Sequence, residues 1–268
     1  MKSVVAVFLL VSCIYPLQRV IDARWGSEEE LVRELMYFPT GRMMKRLVLG
    51  YDEMAADLVW LRMIQYYGQH KQSDRRYDYL GHIVDVLTDL DPRFIHAYTF
   101  GALLLTDDAK DPSRGLGILK KGAEYNPMDW RLPFMSGFIH YVFLGDYDGA
   151  ARYFVRSSSL PDAPDFAGRF AAYVYGRKGD SDVSLELWSN LYHRSENEYE
   201  KLAALRYIKR IHTERLDLLV RRFEDMYGRY PLDLTELVKV GWFEDLPRPP
   251  DGSLYYLDPD DGKVKCTN

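Results

Sequence analysis

The side chains able to do chemistry are scattered along this chain. Six histidines stand at 70, 82, 96, 140, 193 and 212, with no HExxH or HxH spacing and no cysteine pair beside them. A zinc centre needs three or four converging ligands, and none stand at a recognisable interval. The two cysteines, Cys13 and Cys266, lie at opposite ends of the chain and fit neither a zinc site nor a disulfide framework. No histidine neighbours Cys266, so it reads as an inert thiol. There is no GxSxG, and Gly115-Leu116-Gly117 is too short for a phosphate loop. Asp258, Asp260 and Asp261 have the carboxylate density of half a calcium loop. A solvent-facing hairpin turn accounts for the same residues and is preferred. The expectation is a protein that is not an enzyme, with no cofactor and no metal. Carboxylates brought together only by folding would escape such a search.

Composition narrows the classes further. The chain has 268 residues, a net charge of −5 and 47% hydrophobic residues. An acidic chain without a basic run argues against nucleic acid as a partner. Its 21 tyrosines suit either buried helix seams or an aromatic binding surface. At the N-terminus Val4 to Leu17 carries no charge. Such a run rises only about 21 Å as a helix, short of the roughly 30 Å of a bilayer core. That length suits the core of a signal peptide. Within it, Leu10-Val11-Ser12-Cys13 resembles a bacterial lipobox, which implies lipidation of Cys13. The other reading is an uncleaved anchor reaching about Ile21, with Arg19 snorkelling. Both place the body on the periplasmic side of a bacterial envelope, tethered to the membrane; complete cleavage and release is the remaining alternative, and in every case the body is exported.

The elements that would position any site are repeats. Gly145-Asp146-Tyr147-Asp148-Gly149-Ala150 recurs after 34 residues as Gly179-Asp180-Ser181-Asp182-Val183-Ser184, and Phe154 falls on Trp188. Pro92, Pro127 and Pro161 mark the same step. A period of about 34 residues, with a glycine turn, a small residue and an aromatic, signals stacked helix–turn–helix units. The pattern resembles the tetratricopeptide repeat family. The fold expected is all-α: a right-handed solenoid of helical hairpins with a long capping helix and a small α/β hairpin module. Helix pairs are predicted at 51–70 with 76–90, 94–106 with 111–125, 131–144 with 147–159, and 165–178 with 181–194. The first helix of the third pair is one residue longer than the family pattern. Gly101, Gly137, Ala172, Gly115 and Gly122 are the points of close helix approach.

Before the repeats, Ser27 and Glu28-Glu29-Glu30 predict a short helix through about Met36. In the first repeat helix, Met54, Leu58, Leu61, Ile64 and Gln65 form the apolar stripe, Trp60 a core anchor and Asp57 a capping or buried polar group. The stretch from Phe38-Pro39-Thr40-Gly41 to Arg62 resembles the start of a group of bacterial repeat proteins, which implies no activity. From about Glu196 to Tyr227 a helix carries Leu202, Leu205, Ile208, Ile211, Leu216, Leu219, Phe223 and Met226, and would cap the array. The tail from Tyr230-Pro231 through Gly241 and Leu246-Pro247 predicts a short helix. Strands at 254–257 and 263–266 follow, around Asp260-Asp261-Gly262. This tail is similar to the C-terminal part of type II secretion pseudopilins. The domains are therefore 1–24 signal, lipobox or anchor; 25–195 repeats; 196–228 cap; and 229–268 module.

The repeat resemblance also implies a binding face. In that family the first helix of each pair lines a groove. Its groove positions fall on Arg131, Phe134, Phe138 and Tyr141 in the third pair, and on Phe166, Arg169, Tyr173 and Arg177 in the fourth. Arginine among aromatics suits extended peptides or carboxylates. The function expected is a membrane-tethered scaffold or adaptor for a protein partner, in secretion or pilus assembly by analogy with the tail. Two alternatives stand: a small-molecule or lipid receptor with a pocket closed by the long helix, and a cell-wall enzyme with a cleft invisible in sequence.

Overall fold

Glycine and aspartate punctuate the helices where the repeat predicts. In a computed structural model that describes residues 39–243, 245–259 and 261–267, Gly145 and Gly179 close the first helices of two pairs in the left-handed region, with φ of +63° and +95°. Asp146 then caps the next helix, its side chain accepting a hydrogen bond from the Gly149 amide at 2.9 Å. Asp111 does the same for the Arg114 amide at 2.9 Å, with Pro112 at the first helical position. Cys13, the 1–24 segment and the predicted helix after Ser27 lie outside the described residues.

The chain divides into two compact units, residues 1–97 and 98–268. The first contains α1 (Gly41–Leu47), α2 (Asp52–Gln72) and α3 (Leu80–Leu90). Gly41 lets α1 sit on α3, since a Cβ there would lie 2.3 Å from that of Asp89. Tyr66 closes the α2–α3 hairpin: its hydroxyl donates to the Arg76 carbonyl at 3.2 Å and accepts from the Tyr79 amide at 3.3 Å. Burial pushes its pKa up to about 12.

The apolar stripe of α2 is not the one its sequence suggests. Ala55, Ala56, Val59, Met63 and Tyr66 are buried, whereas Met54, Leu58, Leu61 and Ile64 are exposed. The two stripes lie one residue apart and share the same period, so periodicity alone does not choose between them. The inner stripe carries the alanine pair, whose small side chains permit close helix approach. Asp57 stands on the exposed side rather than in a buried polar site. Trp60 is half-buried, its ring 5.3 Å from Phe94 and 5.5 Å from His96.

The second unit, from Tyr98, holds most of α4 (Ile95–Asp107), then α5 (Pro112–Tyr125), α6 (Arg131–Ile139), α7 (Tyr147–Ser158), α8 (Asp165–Lys178), α9 (Ser181–Arg194) and α10 (Glu198–Tyr227). These form stacked antiparallel hairpins at the predicted period. Small residues set the spacing. A Cβ on Gly137 would meet the Phe154 ring at 2.9 Å, and one on Gly122 the Tyr98 ring at 2.8 Å. The extra residue of the third first-helix is absorbed by a π-helical turn over His140–Leu144 at the end of α6.

Helix α10 is long for a readable reason. One further step of 34 residues from Gly179 lands on Thr213, so no glycine breaks the helix where a hairpin turn would fall. Its first half packs as another first helix: Ala204, Ile208 and Ile211 join Ala172, Trp188 and Leu191 in one core. Its second half packs Leu216, Val220 and Phe223 against the tail. Ala203, His212 and Val220 belong to the buried face, whereas Leu202 and Met226, expected there, are 57% and 55% exposed. Thirty residues at 3.6 per turn drift off a strict three–four stripe, so the expected stripe leaves the buried face toward both ends of the helix.

The tail packs on α10 instead of swinging free. Helix α11 (Thr235–Lys239) contributes Leu237, while β1 (Tyr255–Leu257) and β2 (Val264–Cys266) pair antiparallel and contribute Tyr255 and Val264. Three polar ties fix the register. His212 Nδ1 and the Tyr255 hydroxyl share a hydrogen bond of 3.0 Å, the Val264 amide donates to Asp217 Oδ1 at 2.8 Å, and Lys209 pairs with Asp251 at 2.7 Å. In the hairpin turn, Lys265 pairs with Asp258 and, at 3.2 Å, with Asp261, so both carboxylates serve the turn. Asp260 is outside the described residues.

Candidate binding face

The predicted face is aromatic, and its rings are half-buried. Phe134 sits at the centre of a cluster, 5.2 Å from Phe166, 5.3 Å from Phe154 and 5.4 Å from Phe170. Phe138 packs on Phe143 at 6.2 Å. Tyr141 touches Tyr147 at 5.8 Å and Tyr173 at 6.3 Å, and Tyr173 touches Tyr207 at 6.2 Å. These rings cement neighbouring first helices together and leave one edge outward. Five of these seven contacts are edge-to-face, with ring edges on neighbouring ring faces, and the Phe134–Phe154 and Tyr141–Tyr147 pairs are tilted.

The three arginines have separate tasks. Arg131 is bidentate to Asp129, with Nε at 2.9 Å and Nη2 at 2.5 Å, which clamps the turn before α6. Arg177, on the outward end of α8, bonds the Tyr147 hydroxyl, and that contact raises its pKa. Arg169 pairs with Glu200 at 3.3 Å. Glu200 is 7% exposed. Its Oε2 is buried without a hydrogen-bond partner among the described residues. The carboxylate thus orients Arg169 from beneath.

Of the eight predicted residues, Arg169 and Tyr173 line a defined cavity. It measures about 330 Å³, and the other walls are Phe170, Trp188, Tyr199, Ala203, Arg206 and Tyr207. Its floor is the Trp188–Tyr207 pair, stacked at 4.3 Å with planes 2° apart. Arg210 covers the Tyr207 ring at 4.5 Å. Among the described residues Arg206 makes no ion pair, and it stands exposed at the mouth. With Glu200 matched to Arg169, the unmatched charge of the cavity is positive, in a chain whose net charge is −5.

Sequence reasoning missed the half of this cavity supplied by α10. The signal was present: Tyr207 follows Tyr173 by 34 residues, one more repeat step. Reading α10 as a cap alone hid its first half as a further wall of this cavity.

No family model matches the sequence, and no curated protein matches it. Similar solved structures include a MamA protein (TM-score 0.43, 15% identity, covering 75% of this chain and 100% of that chain). A thermophilic TPR protein of Thermus thermophilus has a TM-score of 0.36 and 17% identity over 68% of this chain and 99% of that one. Yeast Tom70 has a TM-score of 0.30 and 15% identity, over 69% and 43% respectively. The chain's own geometry gives the fold: hairpins of about 34 residues, glycine turns and small-residue seams make it a tetratricopeptide-like array.

Proposed function

We propose that this protein is a non-enzymatic scaffold that holds an acidic, extended segment of a protein partner on the face formed by α8 and the first half of α10. The observation that carries the reading is the arginine–aromatic cavity, in which Arg206 is the unmatched cation and Tyr173, Tyr199 and Tyr207 supply ring surface. Guanidinium–carboxylate pairing gives orientation there, and burial of the partner's side chain between rings gives affinity. A repeat array suits this task because successive first helices repeat the same surface along an extended ligand.

The location belongs to the same proposal: the bacterial envelope, on the periplasmic side, tethered by a lipidated Cys13 or by an uncleaved anchor. The uncharged run from Val4 to Leu17 supports it. Among the described residues no helix is long and apolar enough to cross a membrane. The pseudopilin-like tail sequence favours a role in secretion or pilus assembly.

A photoreactive phenylalanine analogue at Tyr199 tests the face, with crosslinking in native membranes followed by mapping of the adduct. The expected result is one protein partner, crosslinked through a segment rich in Asp or Glu, and lost in a folded Arg206→Glu variant. Absence of an adduct, or an adduct unaffected by Arg206→Glu, refutes the assignment. An adduct to a lipid or small molecule instead selects the receptor reading, for which about 330 Å³ lies at the small end of ligand pockets.

A further inference from the structure

The outer surface of α1 and the start of α2 combine apolar exposure with positive charge, and the scaffold role uses neither. Leu49 is 84% exposed, Tyr51 67%, Leu47 59% and Met43 56%. Leu49 adopts φ of +52°, followed by Gly50 at +92°. The left-handed region is uncommon for a leucine, and here it presents an apolar side chain at the tip of a turn. Arg42, Lys45 and Arg46 are exposed beside it. No acidic residue occurs from Pro39 to Tyr51. Behind the turn an apolar cavity of about 710 Å³ runs along α2, walled by Met44, Val48, Met54, Leu58 and Leu61.

We propose that α1 and the Leu47–Tyr51 turn form a contact for the surface of an anionic bilayer. Leu47, Leu49 and Met43 enter the interface, Tyr51 sits at headgroup level, and Arg42, Lys45 and Arg46 pair with lipid phosphates. Protruding apolar residues ringed by basic ones, with tyrosine at the edge, match the physics of that boundary. The occupant follows from charge. A two-fold contact between copies would set three cations against three, whereas an anionic membrane attracts them. The inference rests on the tethering reading above, which brings this surface to a membrane. It adds that the first unit lies against the bilayer through this surface.

The test uses the full chain with Cys13→Ser and Cys266→Ser, labelled with the environment-sensitive dye NBD at Leu49→Cys. It is mixed with vesicles of phosphatidylcholine and phosphatidylglycerol, and vesicle binding is followed in parallel by flotation. The expected result is a blue-shifted, several-fold brighter emission on the mixed vesicles. A label at exposed Asn190→Cys should not change. The triple variant Arg42→Glu, Lys45→Glu, Arg46→Glu should reduce the inserted-to-free ratio of the turn by about a hundredfold or more, since each basic residue is worth roughly fivefold near such a surface. If the labelled chain floats with vesicles but the Leu49 label stays in water, the bilayer contact is refuted. If it does not float, the contact is refuted as well; the tether is judged separately, by flotation of the chain with Cys13 intact extracted from bacterial membranes, because Cys13→Ser removes the lipidation. An equal response on pure phosphatidylcholine overturns the charge argument. A response without vesicles overturns the proposal too: dependence on protein concentration identifies a second copy as the occupant, and independence identifies another part of the chain.

Discussion

The two halves of α10 are held by different physics. From Glu198 to about Ile211 the helix behaves as one more repeat element, its Ala204 and Ile208 packed on Ala172 and Trp188. Contact there follows residue size at fixed intervals. Beyond His212 the same helix receives a tail joined by specific polar ties, His212 to Tyr255 and Asp217 to the Val264 amide. The first kind of contact tolerates changes in surface charge and depends on volume. The second depends on protonation and on individual hydrogen-bond partners. One continuous helix therefore carries both a repeat seam and a docking site for an unrelated small module.

Removing volume from the repeat seam should give the largest effect. Trp188 is 1% exposed and stacks beneath Tyr207. Trp188→Ala should cost about 3–5 kcal/mol by cavity formation. Urea unfolding followed by circular dichroism should show a large fall in midpoint. A loss under about 1 kcal/mol would mean that the seam collapses around the gap, and that the two halves differ less than their contacts suggest.

Acid should act on the second half. Burial, reinforced by the Arg215 charge, lowers the His212 pKa to about 4, from an ordinary value of about 6.5. Between those values the unfolded chain binds more protons than the folded one, so stability falls as pH is lowered. The contribution of neutral His212 is complete above about pH 6.5 and is lost progressively toward pH 4. It is on the order of 2–3 kcal/mol if the tail unfolds with the helix. Hydrogen exchange across residues 255–266 should accelerate through that window before the amides of α8 and α9 respond. A His212→Gln variant should flatten the dependence. Equal acceleration in both regions would merge the two halves into one cooperative unit.

The smallest change probes the punctuation itself. Gly179 takes a φ of +95° at the end of α8, and Thr213 stands one repeat later in mid-helix. Gly179→Ala should destabilise by about 1 kcal/mol through backbone strain, and Thr213→Gly by a similar or smaller amount through helix propensity. Thermal melts of the two variants compare the same register position where the chain turns and where it does not.

The aromatic cavity was partly readable before folding. Arg169 and Tyr173 came from the repeat register, and one more step of the same register reaches Tyr207. Glu200 was not readable: it stands where the repeat carries Phe166, and only the pair with Arg169 reveals its purpose. The three polar ties of the tail link residues 42 to 47 positions apart, without any spacing rule to announce them.

The repeat period, the hairpin boundaries, the run of α10 through Thr213 and the β-hairpin of the tail can all be read from neighbouring residues. Those features depend on local chemistry: glycine's access to positive φ, aspartate capping and the absence of a breaker. Tertiary structure alone decided which of two adjacent stripes of α2 is buried, which arginine of the groove keeps an unmatched charge, and where the tail rests. Each of these is set by the shape and charge of a neighbour distant in sequence. Helical periodicity is identical for a stripe that meets such a neighbour and for one that meets water.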